Sequence, residues 1–207
     1  MAFENTQNAF SNLKQVIHDF SEEYNNELQS LGKEAVIEYK DLGNFEIELK
    51  IAGDLIVFNM HSNIFDFDKN NPIWKSSYVN ENSFASYCGV INVYNFIADS
   101  FKFNRLDDIG YLIARIFVNK DNHYFVEGKR QLGFLYNDFS NSVLSTFELK
   151  RILESAILFT LDFDLLVPEY DNVNMITVAQ VKANINNVKY QTAKRLGFQF
   201  QADRNDI

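Results

Sequence analysis

The spacing of the apolar residues changes at Gly32 from a helical period to a strand period, and this change constrains the fold most. Before Gly32, apolar residues recur every three or four positions, which predicts one long amphipathic helix that ends near this glycine. They are Phe10, Leu13, Ile17, Phe20, Tyr24, Leu28 and Leu31. Over residues 45–51, apolar and charged residues alternate, which predicts a strand with one solvated face. The charged residues of that face are Glu46, Glu48 and Lys50.

The strand at 45–51 belongs to a predicted antiparallel sheet. A short strand at 36–39 precedes it, and the turn Gly53-Asp54 leads into a strand at 55–58 that pairs antiparallel with it. Aromatic and β-branched residues return over 84–96, which predicts a long strand that extends towards Phe103. The first half of the chain therefore contributes most of the sheet.

Three further helices and a hairpin are predicted in the second half. The spacing of apolar residues over 109–117 predicts the second helix. Apolar segments at 124–126 and 132–136 flank a turn at 127–130, which is typical of a β-hairpin. Two capping boxes then mark the start of the third and fourth helices. They are formed by Ser145 with Glu148 and by Thr177 with Gln180, and the fourth helix runs towards Leu196.

These elements predict an α+β fold, an antiparallel sheet with flanking helices. The expected order is helix, three strands, helix, hairpin and helix, followed by an extra C-terminal helix at 175–196. We expect a single domain over 1–207, with a core at 5–161 and a polar, Asn-rich excursion at 62–82.

Charge and composition narrow the class of partner. The 207 residues carry a net charge of −9, which opposes the counterion release that drives nucleic-acid binding, so a nucleic-acid partner is not expected. The longest apolar stretch, 152–167, is interrupted by acidic residues, and no signal peptide is recognised at the N-terminus. Cys88 is the single cysteine, which excludes an internal disulfide and structural zinc. We expect a cytoplasmic protein without membrane contact, cofactor or metal.

The order of elements over residues 5–161 resembles that of the small acidic chaperones of type III secretion and the related YbjN-like domains. The most similar part is the segment 112–119, followed by the strands at 123–127 and 131–136 and the helix from Ser145. The resemblance implies a cytoplasmic, non-enzymatic and dimeric module that binds other proteins. Our leading hypothesis is therefore a protein-interaction or chaperone-like module that binds a protein segment.

An enzymatic alternative rests on Glu127 and Lys129. A Glu-x-Lys pair after an apolar strand is typical of metal-dependent nucleases, in which the acid binds Mg²⁺ and the lysine orients the attacking water or the phosphate. Asp54 or Asp121 would supply a second acid. The alternative function is thus a metal-dependent nuclease or phosphodiesterase, whereas Gly128 between the two residues also fits a hairpin turn.

The first helix predicts self-association. Its apolar stripe from Phe10 to Leu31 is about 30 Å long at 1.5 Å per residue, which is long for one small sheet to cover. We expect a homodimer to cover the remainder. The competing interpretation is intramolecular, because the basic segment 172–207 could place the fourth helix over the acidic first helix.

Overall fold

The structure, a computed structural model, describes residues 1–34, 36–162, 175–188 and 199–200. A long helix, α1 (Ala2–Ser30), precedes a sheet whose first six strands follow one another antiparallel in sequence order. They are β1 (Glu38–Asp41), β2 (Glu46–Ile51), β3 (Asp54–Phe67), β4 (Cys88–Ile97), β5 (Ile109–Asn119) and β6 (Tyr124–Gly128). The α+β fold class is confirmed.

Helices and short strands fill the connections and follow the sheet. Between β3 and β4 lie two 3₁₀ helices, Pro72–Lys75 and Ser83–Ser86, with α2 (Ser77–Glu81) between them. The remaining helices are α3 (Ala98–Lys102), α4 (Gln131–Leu135), α5 (Thr146–Asp162) and α6 (Val178–Val188). Strand β7 (Met175–Thr177) pairs antiparallel with the start of β5, and β8 (Gln199–Phe200) pairs in parallel with the end of β3.

The main core lies between the sheet and the helices α1 and α5. The apolar stripe of α1 and that of α5 pack on alternate residues of the strands, as the two periods require. Among the most buried side chains are Phe10, Leu13, Ile17, Ile47, Leu49, Phe58, Ile152 and Leu153. The first five turns of α1 therefore exclude water from the part of the sheet that they cover.

The other face of the sheet carries two smaller apolar clusters. Towards one end, Phe65, Val90 and Phe117 pack with Val79 and Ala85 of the connection between β3 and β4. Towards the other end, Leu55, Val57 and Phe96 pack with Val178 and Val181 of α6. The predicted solvated face of β2 is wrong for Glu46 and Glu48, which are buried, whereas Lys50 stays half-exposed.

The predicted second helix is a strand. Residues 109–117 belong to β5, which pairs with β4 and β6. Ile113 and Ile116 face α1 and α5, whereas Phe117 lies on the opposite face of the sheet, in the cluster that contains Phe65 and Val90. Burial on both faces fills this strand with apolar residues, so the alternation that marks a half-buried strand disappears.

The predicted second strand of the hairpin is a helix. Residues 131–135 form α4, and the hairpin instead joins β5 to β6 through residues 120–123. A Cβ on Gly133 would lie 2.3 Å from the carbonyl oxygen of Gly128, so glycine permits this helix to approach the end of β6. The chain then runs along the outer edge of β6, where Val126 N–H donates to the Tyr136 carbonyl oxygen over 2.7 Å.

Several boundaries differ from those predicted, whereas the end of the first helix and the starts of the third and fourth are confirmed. Strand β3 continues to Phe67, so the excursion covers 68–87 rather than 62–82, and β4 is bounded by a 3₁₀ helix and α3. Gly32, with φ of +66°, follows the end of α1 as expected. The capping box of Thr177 and Gln180 forms with both of its bonds, since each backbone N–H donates to the other residue's side chain, over 2.8 Å and 3.2 Å. At Ser145 one of the two bonds forms, from the Glu148 N–H to Ser145 Oγ over 3.3 Å, and the Glu148 carboxylate accepts from Tyr124 instead. Leu196 lies outside the described residues.

The fourth helix does not cover the first within the described residues. Helix α6 packs on the face of the sheet opposite α1, through Val178 and Val181. The intramolecular cover proposed for the stripe of α1 is therefore wrong for this part of α6. Among the described residues, no helix is both long enough and apolar enough to cross a membrane.

Candidate functional site

A groove lies between α1 and the first turn of α5, on the helical face of the molecule. It has a volume of about 210 Å³ and is lined by Val16, Asp19, Phe20 and Glu23 of α1 and by Thr146, Phe147 and Lys150 of α5. The capping box at Ser145 fixes where α5 begins, and so sets Phe147 in the first turn of the helix beside the groove.

Two aromatic side chains, Phe20 and Phe147, line the groove, and Tyr24 lies next to it on α1. Phe20 is 5% exposed, whereas Tyr24 is 37% exposed and Phe147 is 68% exposed. The rings of Phe20 and Tyr24 stack with their centroids 4.3 Å apart, so the buried and exposed parts of the stripe are continuous. Aromatic residues that line a pocket, as Phe20 and Phe147 do, are enriched among the anchor sites of protein interfaces.

The two sides of the groove differ in charge. Between residues 15 and 32, α1 and its C-terminal cap carry Asp19, Glu22, Glu23 and Glu27 and no lysine or arginine. On α5, Lys150 Nζ lies 3.4 Å from the Glu23 carboxylate and closes one end of the groove, while Arg151 is held by Glu148 at 3.1 Å. The α1 side therefore presents an excess of negative charge next to apolar surface.

The Asn25 side chain links the C-terminal turns of α1 to the segment before β1. The Asn25 side chain donates to the Ile37 carbonyl oxygen over 2.8 Å and accepts from the Ile37 N–H over 2.7 Å. This amide pairs with the backbone as a neighbouring strand would, which holds the chain before β1 against α1. The apolar stripe nevertheless ends uncovered, because Leu31 is 66% exposed.

The structure does not bring the four residues of the nuclease alternative together. Glu127 accepts from Arg115 Nη1 over 2.9 Å, and the two residues are paired near one end of the register between β5 and β6. Lys129 follows the end of β6, and its N–H donates to the Ile113 carbonyl oxygen over 3.1 Å. Glu127 and Lys129 are near each other in the sequence, but Asp54 and Asp121 lie in other parts of the fold.

Asp54 begins β3, three strands from Glu127 in the sheet, which corresponds to about 14 Å at the usual spacing of strands. Burial raises the pKa of Asp54, and a hydrogen bond from Asn95 partly opposes this. Asp121 lies in the turn at the other end of β6, where Lys120 and Tyr78 hold its pKa below the usual value. Among the described residues, no group of three His, Cys, Asp or Glu is placed to hold a metal ion.

Cys88 is fully buried, and burial raises the pKa of its thiol well above the usual value. A buried neutral thiol of this kind behaves as a small apolar side chain rather than as a nucleophile. The position agrees with the interpretation of the strand as apolar.

Sequence reasoning missed Phe147 and the buried carboxylate of Glu46. Phe147 sits between polar residues in the sequence, and only the packing of α5 against α1 makes it part of a groove. Glu46 is 2% exposed, and its Oε1 atom has no hydrogen-bond partner among the residues that the structure describes. Burial, together with the nearby Glu48 carboxylate, raises the pKa of Glu46 to about 7.

Comparison of the chain with protein-family models, with curated proteins and with solved structures finds no match.

Proposed function

We propose that the protein is a non-enzymatic interaction module that binds an apolar segment of another protein in the groove between α1 and α5. The observation that carries the proposal is the exposed ring of Phe147 beside the buried ring of Phe20. Large aromatic residues contribute most of the binding energy where they enter or line a pocket at an interface. The groove offers such a pocket between two rigid helices.

The charge of the α1 side defines the segment further. Asp19, Glu22 and Glu23 are exposed and lie next to the groove or one turn away. A segment with one or two basic residues beside an apolar anchor would complement this surface, and opposite charge also speeds encounter. We therefore propose a short amphipathic, basic segment as the class of ligand, in the manner of a chaperone that holds part of a client.

The separation of Asp54, Asp121 and Glu127 supports this function over the nuclease alternative. Two-metal and one-metal phosphodiester chemistry both need carboxylates that converge on one ion. The Glu127 carboxylate is instead paired with Arg115. Mg²⁺-dependent cleavage of a nucleic acid that disappears in Glu127→Ala would contradict our preference for a non-enzyme.

The experiment is a selection of binding peptides from a random display library on the native protein. The affinity of the selected peptides is then measured for the native protein, for Phe147→Asp and for the matched control Phe84→Asp. Phe84 is as exposed as Phe147 but lies in the connection between β3 and β4. We expect Phe147→Asp to weaken binding by at least about tenfold, or 1.4 kcal/mol, and the control to bind as the native protein does. Equal effects of the two substitutions would overturn the proposal.

A second proposal concerns self-association. The stripe of α1 ends with Tyr24 and Leu31 exposed, and α6 packs on the opposite face of the sheet. We propose that a second copy of the chain covers this end of α1 in a homodimer. The groove at Phe147 lies nearer the middle of the helix and remains available to the segment.

A further inference from the structure

A second recess lies on the opposite side of the sheet from the groove. It is a cleft of about 680 Å³ between the strands β1 and β2 on one side and the helices α3 and α6 on the other. This volume is in the range of sites for small molecules, which usually hold a few polar groups in a partly apolar wall. No residue of this cleft lines the groove between α1 and α5.

Lysine side chains from four different elements converge on the cleft. Four of the 19 basic residues of the chain line it, namely Lys40, Lys50, Lys102 and Lys182. The acidic residues of the lining are Glu38, Glu48 and Asp99, so its formal charge is +1 (4 minus 3) in a chain whose net charge is −9. A local positive surface in an acidic protein attracts anions selectively.

Two of these lysines are neutralised, and two are not. Lys40 lies 3.6 Å from the Glu48 carboxylate, and Lys50 pairs with Glu38. Within the described part of the chain, neither Lys102 nor Lys182 forms an ion pair. Because Asp99 also lines the α3 side, the two unpaired lysines leave this side of the cleft with a formal charge of +1.

Lys182 is held in place by neutral groups. Its ammonium group donates to Asn104 Oδ1 over 2.6 Å and lies 5.7 Å from the centre of the Phe101 ring. These contacts hold the ammonium without cancelling its charge, which leaves it able to bind an anion. Leu55, Ala98 and Phe101 add an apolar wall beside it.

We propose that this cleft binds a small aryl phosphate, with the phosphate between Lys102 and Lys182 and the ring against Leu55 and Phe101. Lysine ammonium groups are common phosphate ligands, and Lys102 and Lys182 are the lysines of the cleft that form no ion pair within the described residues. The apolar wall accounts for the aromatic part, because an inorganic anion would leave that wall without a contact.

The experiment is calorimetric titration of the full-length protein with phenyl phosphate, and separately with inorganic phosphate. The test variant is Lys102→Gln with Lys182→Gln. The control, Lys33→Gln with Lys75→Gln, removes the same charge from exposed lysines outside the cleft. The single variant Lys102→Gln changes an exposed side chain, and so tests the site if the double variant does not fold.

We expect saturable 1:1 binding of phenyl phosphate to the native protein, tighter than that of inorganic phosphate. Binding should weaken by at least about tenfold in the test variant and by less than about twofold in the control. Absence of saturable binding to the native protein would overturn the proposal, as would equal weakening in both double variants or equal affinity for the two phosphates. None of these results bears on the peptide groove, which lies on the other face.

Discussion

The least expected residue of the structure is Glu46, because its place in an alternating strand predicts a solvated side chain. In the folded protein, Glu46 is buried against the sheet with one carboxylate oxygen unpaired. Asn59 Nδ2 lies 3.4 Å from the other oxygen, a long contact that compensates little of the cost of burying a charge. The residue is therefore a source of instability when it is ionised.

Replacement of Glu46 by glutamine tests whether the ionised carboxylate destabilises the folded protein. The folded-state pKa of about 7 lies above that of an exposed glutamate, so the folded protein binds the proton more tightly than the unfolded chain does. The contribution of Glu46 to stability is complete below about pH 4.5 and is lost as the pH rises through 7. Glu46→Gln should therefore stabilise the protein by about 2 kcal/mol at pH 8, with a smaller gain at pH 5.

Urea unfolding of the native protein and of Glu46→Gln between pH 5 and pH 8 measures the effect. The exposed Glu27→Gln is the control, and its curve should run parallel to that of the native protein at each pH. If native and Glu46→Gln proteins show the same dependence of stability on pH, Glu46 is solvated or paired and our account of its burial is wrong.

At the scale of elements, the first turns of α1 dock on the sheet at one close contact. A Cβ on Gly89 of β4 would lie 2.2 Å from Thr6 Oγ1. Thr6 is fully buried and donates to the Ala2 carbonyl oxygen over 2.8 Å, so it has little freedom to move. The position of α1, and with it one wall of the groove, depends on this glycine.

Gly89→Ala should therefore destabilise the protein by about 1–3 kcal/mol through overpacking. Gly53→Ala is the control, because nothing lies within 4 Å of the position of its Cβ, and it should change stability by less than about 0.5 kcal/mol. Thermal unfolding of both variants decides the matter. Gly89→Ala should cost less stability in the Thr6→Ala background than in the native protein, because Thr6 Oγ1 and Cγ2 are then absent. Full additivity would contradict the contact.

Strand β5 contributes to the core from the middle of the sheet. Ile113 and Ile116 are almost completely buried under α1 and α5. Each substitution by alanine should cost about 2–5 kcal/mol, as is usual for buried isoleucines. Unchanged denaturant midpoints of both variants would show that these residues do not face the main core.

The sequence predicts an element well when only one of its faces is apolar, and badly when both of its faces are apolar. The end of α1, the pairing of β2 with β3 and the starts of α5 and α6 follow from period, turn and capping residues. The spacing of apolar residues predicts a helix where β5 lies, because both faces of this strand are apolar. The groove itself could not be predicted, since Phe20 and Phe147 are distant in sequence and meet only through tertiary packing.

At the scale of the whole molecule, the sheet separates two different surfaces. The α1 and α5 side carries the aromatic groove and the exposed end of the stripe, whereas the α3 and α6 side carries the lysine-lined cleft. Because α6 covers apolar residues of the second side, it cannot also cover α1 through the same residues, Val178 and Val181. With respect to the described residues, Tyr24 and Leu31 at the end of α1 stay exposed, and we propose that a second copy covers them.

Light scattering measures the proposed self-association. We expect a mass of about twice the 24.1 kDa of one chain at micromolar concentration. Tyr24→Asp with Leu31→Asp should reduce it to one chain, because both charged side chains would be buried in the dimer. Phe84→Asp is the control and should leave the dimer intact. A native mass of 24.1 kDa that does not change with concentration or salt would contradict the dimer.

The central claim is that the groove between α1 and α5 is where the protein binds its ligand segment. Amide hydrogen exchange with and without a saturating peptide, selected as described above, tests this location directly. We predict slower exchange in residues 16–24 and 146–151, which line or border the groove, and no change in β1 at the free edge of the sheet. Protection confined to residues 36–41 would instead show that the segment pairs with the sheet edge, and would contradict the assignment of the groove.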